Sequence, residues 1–105
     1  MRIVALFNLK PGVAAADYEA WARKRDIPGV RSLISVTDFE VLRATGVLFS
    51  DAAPPYAYIE ILDVTDRDEF LADCGGTTVQ ALAAEMGEYA VGATFITTER
   101  VGEIG

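Results

Sequence analysis

Two predicted strands are apolar on both of their faces, and this constrains the fold more than any other feature of the chain. The first strand spans Arg2–Leu9 and the third spans residues 56–64. Successive side chains of a strand point to opposite faces, so a strand that is apolar at every position needs cover on both sides. The pattern therefore predicts central strands of a sheet whose two faces are both buried.

The remaining segments predict one helix and one strand before the third strand, and helices and a strand after it. Apolar periodicity and turn signals place them as follows: a helix over residues 13–27 stopped by Pro28-Gly29, a strand over 33–44, a short helix capped by Thr65, a helical segment over 79–86 and a last strand over 91–101. This β-α-β-β-α-β order predicts a ferredoxin-like α+β fold, in which a four-stranded antiparallel sheet carries helices on one face.

The predicted sheet also indicates the assembly. Helices on one face would leave the other face bare in a monomer, and that face would be a large apolar patch. A homodimer with two-fold symmetry buries such a face. We therefore expect a homodimer, built from one domain that spans residues 1–105.

Composition narrows the function. The net charge is −7, which is unfavourable for binding nucleic acid or an anionic membrane surface. The chain has no histidine, so it cannot form a Ser-His-Asp triad and lacks the commonest zinc ligand. Its one cysteine excludes an internal disulfide and fits a reducing compartment. With only a five-residue apolar run at residues 3–7, we expect a cytoplasmic protein without a membrane span.

An aromatic stripe marks the first helix. Tyr18, Trp21, Ala22 and Arg25 follow one another at the spacing of a single helical face. One interpretation is a core stripe packed on the sheet, with Arg25 extending to water. The other is an aromatic wall of a substrate site in which Arg25 binds a carboxylate or enolate oxygen through its planar fork.

Glu60 is a carboxylate in the middle of an otherwise apolar strand, on the same face as Tyr58. It fits a structural ion pair, with Arg25 if it points to the helices. If it points to a dimer partner, the candidate cations are Arg2, Arg43 and Arg100. It also fits a general base whose pKa is raised by burial, with Tyr58 donating to a developing oxyanion.

Four further features of the sequence are weaker candidates for parts of a functional site. Asn8 is interpreted as a strand-end cap, with contact to a ligand as the alternative. Asp26 is expected to pair with a neighbouring arginine and to have no catalytic role, and Cys74 is expected to be a small buried apolar residue. The apolar loop segment 47–49 is predicted to fold back as a cover. Because no nucleotide, flavin or metal motif occurs, any chemistry would be cofactor-free acid–base chemistry and positioning.

Four segments in order resemble the REDY-like family, which includes the HapK-type proteins of prodigiosin (tripyrrole pigment) pathways. They are FNLKPG at 7–12, DYEAW at 17–21, PGVRSL at 28–33 and PYAYIE at 55–60. That family belongs to the dimeric α+β barrel superfamily, together with cofactor-free monooxygenases, polyketide cyclases and EthD-like proteins. The resemblance implies a homodimer with a hydrophobic small-molecule cavity between helices and sheet, and a role in secondary metabolism.

Four functions are compatible with this resemblance and with the residues. The first is a binding protein or cofactor-free enzyme for a hydrophobic intermediate, with a pyrrole-type compound as the candidate. Its catalytic candidates are Glu60 and Tyr58, and its binding candidates are Tyr18, Trp21, Arg25 and Asn8. The second is a non-catalytic carrier or chaperone for a pathway enzyme. The third is a cofactor-independent monooxygenase, although such relatives often use a histidine that this chain lacks. The fourth is a structural dimer with a filled core.

Overall fold

The structure, a computed structural model, describes residues 1–102 and has the predicted β-α-β-β-α-β order. The strands are β1 (Arg2–Leu9), β2 (Val36–Arg43), β3 (Tyr58–Val64) and β4 (Ala90–Thr97). The helices are α1 (Ala15–Trp21), a π-helical turn (Ala22–Asp26), α2 (Ile27–Arg31), α3 (Arg67–Cys74) and α4 (Thr77–Met86). The four strands form an antiparallel sheet in the order β2-β3-β1-β4, which confirms the predicted ferredoxin-like fold.

One face of the sheet forms the core beneath the helices. Every second residue of β1 and β3 is buried on this face, as the two-residue repeat of a strand requires. These residues are Ile3, Ala5 and Phe7 of β1 and Tyr58, Glu60, Leu62 and Val64 of β3. Glu60 therefore points toward the helix layer, since it shares its face with residues that pack against helical side chains.

The other face is apolar and only partly covered. Its central residues are Val4 and Leu6 of β1 and Ile59 and Ile61 of β3, all of intermediate burial. Leu42 of β2 and Ile96 of β4 flank them and are exposed. Within residues 1–102, the helices pack on the opposite face, so this apolar surface is open in one chain.

The first helical run is longer than predicted. It continues past Pro28-Gly29 to Arg31, because Pro28 lies in the first turn of α2, where a missing N–H is tolerated. Gly29 allows the close approach of α4: a Cβ added at Gly29 would lie 2.8 Å from Cδ1 of Leu82. Gly29, which the sequence predicts to end the first helix, is thus the point where α2 packs closely against α4.

Other boundaries and details also differ from the predictions. β2 begins at Val36 because residues 32–35 form turns, with Leu33 N–H bonded to the Val30 carbonyl. β4 ends at Thr97. Asp66, rather than Thr65, caps α3 by accepting the Glu69 N–H at 2.8 Å.

The predicted cover at residues 47–49 does not form. Leu48 is 80% exposed and Phe49 is 98% exposed, so neither of these two side chains covers the core within the described chain, although Val47 is half-buried. As for membranes, none of the helices in residues 1–102 is both long and apolar enough to span a bilayer.

Candidate functional site

A cavity of about 460 Å³ lies between the sheet and the helices. Its walls are mostly apolar and come from both layers. The sheet contributes Phe39, Leu62, Ala93 and Phe95, and the helices contribute Val30, Phe70, Leu82 and Met86. The cavity reaches the surface between α4 and β4, where the lining residues Ala83 and Phe95 are exposed.

Two carboxyl groups interrupt these apolar walls. Asp26 is 5% exposed and Glu60 is 3% exposed, and both line the cavity. Asp26 Oδ2 and Glu60 Oε2 have no hydrogen-bond partner among the described residues. Burial, and secondarily the charge of Asp26, raise the pKa of Glu60 to about 8. Burial, and secondarily the charge of Glu85, raise the pKa of Asp26 to about 6. Both shifts favour the protonated form and the shift of Glu60 is the larger, so the two carboxyls differ in proton affinity, as the acid and the base of an active site do.

The π-helical turn explains how an aspartate reaches the cavity. Residues 22–26 form this turn, which ends at Asp26 itself, and the strongly charged Arg23, Lys24 and Arg25 before it are exposed. A π-turn has a wider repeat than an α-helix and so changes which side chains face the core. The turn therefore buries Asp26 while it leaves its three basic neighbours in water.

Tyr18 lies beside this carboxyl pair. It is fully buried, and its hydroxyl has no hydrogen-bond partner in the described part of the chain. Burial raises the pKa of Tyr18, and the charges of Glu60 and Asp26 raise it further. Its ring packs 4.7 Å from the ring of Tyr58 and edge-on to Phe7. The aromatic stripe of the first helix is thus partly core, and the charges of the two acids act on the Tyr18 hydroxyl without a hydrogen bond to it.

Tyr58 shares the face of Glu60, but its hydroxyl has a protein partner. It donates to Glu19 Oε2 at 2.7 Å, and Arg43 donates to the same carboxylate through Nε and Nη2. Burial, followed by the bond to Glu19, raises the pKa of Tyr58 to about 12, while Arg43 and Tyr58 lower that of Glu19 to about 2. Tyr58 is absent from the cavity lining, so its role as an oxyanion donor stays a prediction that the geometry does not favour.

Trp21 and Arg25 meet at Glu85 of α4. Trp21 Nε1 donates to Glu85 Oε1 at 2.8 Å, and Arg25 forms a two-bond pair with the same carboxylate at 2.9 and 2.7 Å. Both residues line a shallow surface site and not the cavity with Glu60. The expected pairing of Arg25 with Glu60 is therefore wrong, because Arg25 points outward along α4.

Asn8 lies at the end of β1 and joins two segments. Its Nδ2 donates to the Pro55 carbonyl at 3.3 Å, and its Oδ1 accepts the Ala57 N–H at 2.9 Å. Both hydrogen-bonding ends of the amide are thus occupied by the loop before β3. The geometry corresponds to the strand-end cap, outside the cavity.

Comparison with known proteins identifies the family. The family model described as REDY-like protein HapK matches residues 1–101. The chain belongs to the REDY-like HapK family. No protein of curated function matches it.

Solved structures agree with the fold of this HapK family member. HapK from Hahella chejuensis is 28% identical, with a TM-score of 0.75 over 100% of this chain and 97% of that chain. A dimeric ferredoxin-like protein of unknown function from Thermobifida fusca is 18% identical, with a TM-score of 0.70 over 90% and 85% of the two chains. SnoaB, a cofactor-independent oxygenase from Streptomyces nogalater, is 16% identical, with a TM-score of 0.70 over 96% and 94%. At such low identity, the last two show the fold alone.

Sequence reasoning missed Asp26 as a residue of this HapK-family cavity. A signal was present, because Asp26 follows Tyr18 and Ala22 at a spacing of four residues, which continues the buried stripe. The adjacent arginines favoured a surface interpretation instead. Cys74 was expected to be a small apolar residue, and the structure places it in the cavity wall, where burial raises the pKa of its thiol.

Proposed function

We propose that this protein binds an apolar small molecule in the cavity between the sheet and the helices. The observation that carries the proposal is a cavity of about 460 Å³ with apolar walls and the buried acids Asp26 and Glu60. Ligand sites of proteins typically enclose about 300–1,000 Å³ and combine apolar walls with a few polar groups. Membership of the HapK family supports a role in secondary metabolism, with a pyrrole-type intermediate as the candidate ligand.

The functional unit in this proposal is a homodimer. The apolar outer face of the sheet supports it, as does the structural likeness to a ferredoxin-like protein that is named as dimeric. Burial of the outer face would leave the cavity on the opposite, helix-covered face of each chain.

Blocking the cavity mouth tests ligand binding. Ala83 and Ala84 are adjacent exposed residues of α4. Ala83 belongs to the cavity lining, and Ala84 does not. We expect Ala83→Trp to weaken binding of Nile red, a neutral apolar fluorophore, by about tenfold or more, since the indole would occupy the mouth. Ala84→Trp is the matched control and should bind Nile red like the unmodified protein. Equal binding by both variants, in a fluorescence titration, would count against a ligand site in this cavity.

We further propose that Glu60 transfers a proton to or from the bound ligand. Its pKa of about 8 lies near neutrality, where a general acid or base is most effective. Glu60→Gln should keep the fold and Nile red binding, while output of the pathway in the host cells falls about 10²-fold or more, as loss of a general acid–base group does.

The matched control for Glu60→Gln is Asp63→Asn, since Asp63 lies on the same strand but pairs with Arg2 on the outer face. Pathway output is measured by mass spectrometry of the product in cells that carry each variant. If output is unchanged in Glu60→Gln, the protein is a carrier of the intermediate and not the catalyst of its conversion.

A further inference from the structure

The described lining of the cavity contains two acids and no basic side chain that would neutralise them. Asp26 and Glu60 are the only charged residues among the described residues that line it. The nearest candidate on the same helical run, Arg25, is engaged by both oxygens of Glu85. Within residues 1–102 the cavity lining therefore offers the two acids no cation, unlike the half-buried Glu19, which is bound by Arg43.

An uncompensated buried acid is unfavourable. The apolar surroundings favour the protonated form of both carboxyls, so whichever of them ionises becomes a buried negative charge. A buried charge is stable only when it is paired or well hydrogen-bonded. A ligand with a positive charge would supply the missing partner.

We propose that Asp26 and Glu60 together bind the protonated nitrogen of an otherwise apolar amine. This inference rests on the proposed function, because it specifies the class of ligand that the same cavity takes. Asp26 approaches from the helical layer and Glu60 from the central strand β3, so a group in the cavity between the layers is reached by both. The apolar walls receive the hydrocarbon part of the ligand.

The available acceptors match an ammonium group. Among residues 1–102, the cavity lining has two buried side-chain oxygens without a hydrogen-bond partner, Asp26 Oδ2 and Glu60 Oε2, while Tyr18 Oη also lacks a partner but does not belong to the lining. A primary ammonium has three N–H donors and no acceptor. A metal ion fits less well, because no group of three or more histidine, cysteine or carboxylate side chains in this part of the chain could hold one.

A matched pair of compounds tests the inference. Diphenylmethylamine is protonated at neutral pH, whereas diphenylmethanol has nearly the same shape and is neutral. In isothermal titration calorimetry at neutral pH, we expect the amine to bind at least tenfold more tightly than the alcohol, and diphenylacetate to bind more weakly than either. Binding of the amine should also protect Cys74, the sole cysteine, from alkylation by iodoacetamide, since its side chain lines the cavity.

Variants in which each carboxyl is replaced by a neutral amide then test whether Asp26 and Glu60 are the groups that bind the amine nitrogen. Asp26→Asn and Glu60→Gln each keep the side-chain shape, and we expect each to reduce the preference for the amine and the double variant to abolish it. Asp63→Asn, on the outer face, should leave the preference unchanged. Circular dichroism checks the fold of each variant, and the comparison of the two compounds on the unmodified protein decides the question even if a variant does not fold.

The outcomes separate the inference from the proposed function. If the alcohol binds as tightly as the amine, the inference is overturned while ligand binding in the cavity stands. If the preference persists in the folded double variant, the nitrogen is recognised elsewhere and the inference is overturned. If neither compound binds and neither protects Cys74, both the inference and the proposed function fail.

Discussion

Glu60 occupies the middle of β3, paired with Ala5 on one neighbouring strand and Val41 on the other. All alternate residues of β3 on its face are buried, so a carboxyl at this position is held away from water. Burial disfavours the ionised form, and the second acid, Asp26, disfavours it further. The environment therefore keeps a proton on Glu60 at a pH where an ordinary glutamate has lost it.

This raised pKa predicts how stability depends on pH. Between pH 4.5 and about 8, the folded chain holds a proton on Glu60 that the unfolded chain has released. The free energy of unfolding should therefore fall as pH rises through this window, and Asp26 acts in the same direction from pH 3.8 to about 6. Glu19 and Glu85 have pKa values of about 2 in the fold, so their contribution to stability rises with pH and is nearly complete at the lower edge of this window, and the pKa of Tyr18 is raised well above it.

Glu60→Gln removes the largest part of this dependence. We expect the loss of unfolding free energy between pH 4.5 and 8 to be smaller in the variant than in the unmodified protein, by about 2 kcal/mol or more. Urea denaturation followed by circular dichroism at the two pH values measures the difference. Parallel pH dependence in the two proteins would show that Glu60 has an ordinary pKa in the fold.

The first helical run shows how an element can carry a site. It passes from α1 through the π-turn Ala22–Asp26 to α2 without an interruption of the chain path. The turn brings Asp26 to the cavity, and two residues after the start of α2 Gly29 allows contact with Leu82 of α4. One continuous run thus supplies a polar group of the site and the packing that holds its opposite wall.

β4 completes the cavity through an irregularity. The pairing with β1 shifts between Leu6 and Asn8, and Gly92 there has a φ of 66°, a left-handed conformation that glycine adopts readily. Two steps along β1, from Leu6 to Asn8, therefore face three steps along β4, from Thr94 to Val91. Because β4 has this one additional residue, Ala90 and Ala93 both line the cavity although they are three positions apart. A regular strand would place residues at that spacing on opposite faces.

At the scale of the whole molecule, the sheet separates two surfaces with different roles. The helix-covered face contains the cavity, and the outer face exposes an apolar row that a second copy would cover. The described chain is a flat body of 38 × 37 × 19 Å, as expected for one sheet with a single layer of helices on one of its faces.

The oligomeric state of the unmodified protein and of the Ile61→Lys variant tests whether a second copy covers the outer face of the sheet. Ile61 is central on the outer face of β3, so we expect the unmodified protein to sediment at twice its mass of 11.3 kDa and the lysine variant to sediment as a monomer. Phe49→Lys, in the exposed loop, is the control and should remain dimeric. Sedimentation equilibrium distinguishes the cases, and a monomer mass for the unmodified protein would rule out the homodimer.

The local periodicity of the chain was enough to predict the order of elements and that Glu60 shares one face of β3 with Tyr58, but only the tertiary structure decided that this face lies beneath the helices. These features repeat over two or about four residues, so each is readable within a short window of sequence. The family resemblance was likewise carried by short segments in order. The extent of a single domain, the cytoplasmic location and the site roles stay predictions.

The partners of the charged and polar side chains were decided only by the tertiary structure. Arg25 pairs with Glu85 and Tyr58 with Glu19, across separations of 60 and 39 residues in the chain. The spacing of Asp26 from Tyr18 and Ala22 indicates a buried position, but the cavity that Asp26 lines forms only where residues of α3, α4, β3 and β4 come together around it. Such contacts depend on how whole elements are placed against one another, because a side chain bonds to whatever the packing brings within about 3 Å of it.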